Sequence, residues 1–251
     1  MKRLSVFAYG AFSYAVFFAS FLYTAGFLTN LFVPKSIDSG EPGPVGYAVA
    51  VDLALLSLFA IQHSGMARPA FKEVWTQIIP NAIERATYVL LSSVVLIAVI
   101  VLWEPIGGTL WHFDSGVGYG IGLGLFGVGI GLVLYSTMLI DHFELFGLRQ
   151  VFEVLMQRPA KKDDFVTPSL YRHVRHPLYV GWFITLWATP SMSMGHLLFA
   201  SVCTAYIVVA VRLEEHDLAD TFGSRYRQYQ ASTPMFIPRA QPAREASSAA
   251  A

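Results

Sequence analysis

Four apolar runs of near-bilayer length dominate this chain, at Leu4–Phe32, Val45–Ile61, Ala86–Trp103 and Val117–Ile140. A hydrocarbon core about 30 Å thick is crossed by about 20 helical residues, so each run predicts a membrane span. Two shorter runs, Leu178–Thr189 and Leu197–Val211, flank "PSMSMG" and predict a short or tilted helical hairpin. Only 14% of the 251 residues are charged, where a soluble domain carries about a quarter. The expectation is an all-α polytopic membrane protein with about six transmembrane helices. Met1-Lys2-Arg3 before an apolar run resembles a signal peptide, but that run is too long for one, which predicts a retained first helix.

Charge placement predicts topology. Lysine and arginine number two at the N-terminus, three in Gln62–Arg85, six in Asp141–Pro177 and five from Arg212 onward, against Lys35 alone on the other side. The positive-inside rule then puts both termini and the two charged loops in the cytoplasm, as in a bacterial inner membrane. Acidic and basic residues balance at 17 each, so no global basic field points to nucleic acid. Nothing in the sequence calls for an obligate protein partner. Cys203 stands alone in an apolar run and reads as a buried small side chain. The organisation expected is a four-helix region over 1–140, a catalytic region with hairpin and C-terminal helix over 141–238, and a disordered tail over 239–251.

The fourth run is rich in glycine. Gly122-x-Gly124-x-x-Gly127 formally matches a dinucleotide fingerprint, but no strand precedes it and the stretch is apolar throughout. Gly120-x-x-x-Gly124 and Gly127-x-x-x-Gly131 predict close helix packing instead.

Ionisable residues gather on one side. His63, His142, His173, His176 and His216 fall on the expected cytoplasmic side with Asp141, Glu144, Glu214 and Glu215. Each alone reads as a polar helix end; their convergence from four segments at bilayer depth reads as a functional site. A metal is disfavoured, because His173-x-x-His176 runs into Pro177 and no second histidine box follows. Serine-nucleophile chemistry lacks its Gly-x-Ser-x-Gly turn. A zwitterionic cofactor fits the residue types better. Arg172 and Arg175 suit a carboxylate, Glu214 or Glu215 an ammonium, and Phe165, Tyr171 and Tyr179 an aromatic base. S-adenosylmethionine carries all of these groups.

"RHPLYVGW", from Arg175 to Trp182, resembles the Arg-His-Pro-x-Tyr-x-Gly motif of the isoprenylcysteine carboxyl methyltransferase superfamily. Glu214-Glu215, Phe222-Gly223, Tyr226, Tyr229 and Pro238 resemble its second motif. The resemblance implies S-adenosylmethionine as methyl donor, bound through Val166, Tyr171, His176, Pro177, Leu178, Tyr179 and one of Glu214 and Glu215, with Arg175 at the head of the motif. It also implies that Arg212 faces the methyl acceptor. A family histidine is replaced here by Asp163. "IQHSGMARPAFK" and "IDHFELFGLRQ" resemble the nurim-like group that contains bacterial methanethiol S-methyltransferases. That likeness implies methylation of methanethiol, a small volatile thiol, to dimethyl sulfide, in a site open to membrane lipid.

Under that reading His142, oriented by Asp141 or Glu144, is the candidate base for the thiol, and Arg149 or Arg212 stabilises the thiolate. His63 reads as a pocket-lining residue or a plain helix-end histidine. Three rivals stand beside it. One methylates a larger acceptor, an isoprenylcysteine or a lipid amine. A sterol reductase is disfavoured by Leu178 and Trp182 where that class has Asn and Asp. The third is a non-catalytic nurim-like scaffold.

Overall fold

The computed structural model describes residues 2–159 and 164–238. Five helices are long and apolar enough to cross a bilayer: α1 (Lys2–Thr29), α2 (Val45–Ala67), α4 (Asn81–Leu102), α5 (Gly116–Ile140) and α9 (Met194–Phe222). Between them lie α3 (Pro69–Trp75), α6 (His142–Leu145), α7 (Leu148–Met156), a 3-10 turn (Ser169–Arg172) and α8 (Pro177–Trp187), with α10 (Ser224–Ser232) at the end. The chain is an integral membrane protein of helices. The only strands among the described residues are β1 (Thr109–His112) and β2 (Ser191–Ser193), paired antiparallel.

The expected pair of short final helices is corrected. α9 runs 29 residues, about 43 Å at 1.5 Å per residue, because the polar stretch after Val211 holds no glycine or proline before Gly223. Hydropathy ends at Arg212; the helix does not. α8 is short, 11 residues or about 16 Å. Its partner is also not the expected one, because α8 lies along α5 far more than along α9.

Glycine makes that contact possible, although different glycines from those expected. A Cβ on Gly129 would fall 2.7 Å from the Thr185 backbone nitrogen, and one on Gly181 would fall 2.8 Å from the Gly129 carbonyl. Gly122 meets Pro190 in the same way, so α8 runs antiparallel to α5. Gly122 and Gly129 are seven residues apart, two turns, and share one face. Gly120, Gly124, Gly127 and Gly131 have open space around them. The expected Gly-x-x-x-Gly pairs are therefore not the packing face, because only a partner decides which side of a glycine-rich helix is used.

The core runs through α1, α2, α4, α5, α8 and α9, with Phe27, Trp103, Phe126, Leu186, Phe199 and Val211 buried. Val151 of α7 packs at Gly10 of α1, so α7 sits beside the N-terminal half of the first helix. Since α5 leads directly into α6 and α7, the charged segments collect at that same end of the bundle. Asp163 and the tail beyond Pro238 lie outside the described residues.

Candidate functional site

Pro177 opens α8 at its first position, where a missing N–H costs nothing, and His176 stands just before it. The C-terminal segment is laced onto this turn. Arg175 N donates to Pro234 O at 2.9 Å and His176 N to Met235 O at 3.2 Å. The Arg175 guanidinium lies under the strap, with Nη1 donating to the carbonyls of Gln230 and Thr233 at 3.0 and 2.5 Å. Its Nε and Nη2 form a fork onto Glu215 at 2.6 and 3.2 Å. Glu215 also accepts from Gln230 at 2.8 Å and stands 2.9 Å from His176 Nε2.

This arrangement separates the two glutamates that the sequence left equivalent. Glu215 is 7% exposed, and both oxygens are engaged by protein donors. Arg175, expected to clamp a ligand carboxylate, has every guanidinium nitrogen committed to this internal knot. Glu214 is different. Oε2 accepts the Tyr179 hydroxyl at 2.9 Å, and Oε1 has no partner among the described residues.

Around Glu214 stand tyrosines. Burial and the Glu214 charge both push the Tyr171 phenol above its ordinary value of 10. The Tyr229 hydroxyl donates to the Tyr171 carbonyl at 2.5 Å, and burial raises its own pKa to about 12. Tyr226 is 1% exposed and its hydroxyl has no hydrogen-bond partner among the described residues. An unmet buried donor costs about 1–3 kcal/mol, a cost that a bound acceptor would relieve. Phe165 packs on Phe222, Tyr226 and Tyr229 with ring centroids 5.4–5.6 Å apart. A half-free carboxylate, an unpartnered phenol and an aromatic wall fit the ammonium, polar and adenine parts of S-adenosylmethionine.

Other expected site residues fall elsewhere. Val166 is 57% exposed, Pro177 is buried, and Leu178 is half-buried on the first turn of α8. Arg172 is exposed and donates to Thr167 O at 3.3 Å. Arg212 is exposed, with no hydrogen bond or ion pair among the described residues. At 100° per residue it points about 200° away from Glu214, so it does not face the same space. His173 lines an apolar hollow of about 180 Å³ with Leu132, Val174 and Phe236, apart from His176.

His142 sits in its own cage. It is 3% exposed, walled by the rings of Tyr14, Phe143 and Phe146. Thr137 Oγ1 donates to Leu134 O at 2.7 Å, so His142 Nδ1, 2.8 Å from that oxygen, is the donor between them. Nε2 is left to accept the Tyr14 hydroxyl at 2.8 Å. Burial lowers the His142 pKa below 6.5. The carboxylates expected to orient it do not; Asp141 and Glu144 both pair with Arg149, and Asp141 caps α6 through Glu144 N. Arg149, expected at the thiolate, is held in that cluster. Sequence reading had no signal for Tyr14 or Thr137, because neither lies in a motif.

The profile of the phospholipid methyltransferase family matches residues 117–225. A methanethiol S-methyltransferase of Crocosphaera subtropica is 48% identical over 238 residues, covering 95% of this chain and 93% of its own. The chain belongs to the methanethiol S-methyltransferase family. A second family member, methanethiol S-methyltransferase 2 of Bradyrhizobium diazoefficiens, is 48% identical over 94% of this chain and 91% of its own. Nurim of Xenopus laevis is more distant, 30% identical over 68% of this chain and 62% of its own. No solved structure matches.

Proposed function

We propose that this protein transfers a methyl group from S-adenosylmethionine to methanethiol, giving dimethyl sulfide and S-adenosylhomocysteine. The observation that carries the reading is the Glu214 carboxylate, fixed by Tyr179 on one oxygen and without a partner on the other among the described residues. Bound S-adenosylmethionine supplies an electrophilic methyl on a sulfonium. Glu214 receives the ammonium; Tyr226 and Tyr171 supply polar contacts; Phe165 and its aromatic neighbours take the adenine. The knot of Arg175, His176, Glu215 and Gln230 has a different task, which is to hold α8, α9 and the C-terminal strap in register. Asp141, His142 and Arg149 lock the α5–α6–α7 elbow in the same structural sense.

Acceptor choice rests on family membership and on the site's setting at one end of an apolar bundle, which a small thiol reaches from lipid. Both termini and the site belong at the cytoplasmic face of a bacterial inner membrane, a reading supported by the 16 lysines and arginines assigned to that side. Holding both reactants together supplies much of the rate, by converting a bimolecular encounter into a local one.

The test is headspace gas chromatography of purified protein given both substrates. Dimethyl sulfide above a no-protein blank is expected. Glu214→Gln should raise the S-adenosylmethionine KM roughly 10- to 100-fold, the value of one charge-assisted contact. A wild-type protein that makes no dimethyl sulfide, or a Glu214→Gln variant with unchanged KM, overturns the reading.

A further inference from the structure

One face of α9 carries a stripe that points away from the Glu215 knot. Cys203, Tyr206, Ala210, Glu214 and Asp217 recur at spacings of three and four, within about 80° of one another around the helix. α2 lies opposite. Asp217 pairs with Arg68 at 2.7 Å, and the Tyr206 and Ser64 hydroxyls stand 3.1 Å apart. His63 presents its ring to Tyr206 at 6.4 Å and stacks on Phe59 at 5.2 Å. The Tyr179 phenol, bonded to Glu214, lies within electrostatic reach of both Tyr206 and Tyr88. Tyr179, Tyr206 and Ser64 thus lie as polar groups between Glu214 and His63, within otherwise apolar packing.

His63, Tyr179 and Cys203 are each half-buried and keep accessible surface. His142 has no such surface, and its two nitrogens are closed by Thr137 and Tyr14.

Hydrogen bonding around His63 suits a proton acceptor. The Tyr88 hydroxyl lies 3.0 Å from Nε2 and 3.2 Å from Nδ1. With a single proton to give, it can donate to only one of the two ring nitrogens at a time. Ser92 Oγ stands 3.3 Å from Nδ1 and accepts from Gln62 Nε2 at 3.2 Å. Both hydroxyl oxygens can accept as well as donate, so an added proton leaves no buried N–H without an acceptor. At membrane depth, where an unpaired charge is costly, that provision is what a transient imidazolium requires.

Resting on the function proposed above, we propose that His63 is the catalytic base for the thiol, with Tyr88 and Ser92 as its positioning residues. The thiol S–H bond breaks and its proton passes to a ring nitrogen of His63. The sulfur lone pair forms the new S–CH3 bond as the methyl's bond to the donor sulfur breaks, leaving that electron pair on the donor. His63 then returns the proton to water.

The experiment compares two acceptors on the full-length detergent-purified protein: methanethiol, almost wholly protonated at neutral pH, and 2,2,2-trifluoroethanethiol, a small thiol made far more acidic by its fluorines and substantially ionised there. His63→Gln should lower kcat for methanethiol by about 10²- to 10⁴-fold, the usual contribution of a positioned base. Its kcat for the acidic thiol should fall by less than tenfold, and S-adenosylhomocysteine affinity by calorimetry should be unchanged. Should His63→Gln misfold, Tyr88→Phe keeps the ring and removes only the hydroxyl beside His63; the same selective loss for methanethiol is expected. Equal losses for both thiols, or none for either, overturn the assignment. A wild-type enzyme inactive on both would instead defeat the methyltransferase reading itself, a failure seen before any variant is made.

Discussion

Replacing Arg175 with methionine separates two roles for that arginine: internal staple or ligand clamp. The guanidinium and the Glu215 carboxylate are 9% and 8% exposed, so solvent screens their interaction little. Arg175→Met leaves Glu215 charged and buried, with only His176 and Gln230 beside it, and frees the carbonyls of Gln230 and Thr233. Removing one partner of a buried ion pair costs about 3–5 kcal/mol. For a chain of this size each kcal/mol moves the melting temperature by about 2–4 °C, so a loss of roughly 6–20 °C is expected. Thermal unfolding in detergent, followed by tryptophan fluorescence with and without S-adenosylhomocysteine, measures it. Arg175→Met/Glu215→Leu should recover part of the loss, since the stranded charge is gone while His176 and Gln230 still lack their acceptor. An Arg175→Met protein that melts within about 2 °C of wild type but no longer binds S-adenosylhomocysteine would refute the reasoning and restore the clamp role.

Further consequences follow from the same geometry. Gly181→Ala and Gly129→Ala drive a methyl against backbone atoms that cannot yield, and each should cost about 1–3 kcal/mol. Gly124→Ala, with nothing around it, should be neutral or stabilising by up to about 1 kcal/mol, and melting curves of the three variants compare them directly. Burial holds His142 neutral, its pKa below 6.5. The unfolded chain therefore binds the extra proton first, so this contribution is complete above about pH 6.5 and is lost as pH falls toward the folded value. Melting temperatures from pH 7.5 to 5 should drop more steeply for wild type than for His142→Gln; parallel curves would contradict the burial argument.

Hydropathy alone determined that the chain is a helical membrane protein, because each span must satisfy its own backbone and bury its own length in lipid. The two C-terminal motifs were equally legible, since each is contained in one short stretch, Arg175–Trp182 and Glu214–Pro238. Helix ends were less legible, as α9 shows, because hydropathy marks where lipid ends and not where a helix stops. Roles within the motifs were not legible at all. Adjacent glutamates point about 100° apart on a helix, and only the placement of α8 and the C-terminal strap decides that Glu215 meets Arg175 while Glu214 meets Tyr179. The same holds for the histidines. In sequence His142 and His63 are both polar residues near the end of an apolar run; the fold surrounds one with Thr137 and the rings of Tyr14, Phe143 and Phe146, and leaves the other beside Ser64 and Tyr206, on the side of α9 that carries Glu214. Side-chain chemistry is written locally, but which groups share a space depends on contacts between segments from 35 to 128 residues apart, and those exist only once the bundle has packed.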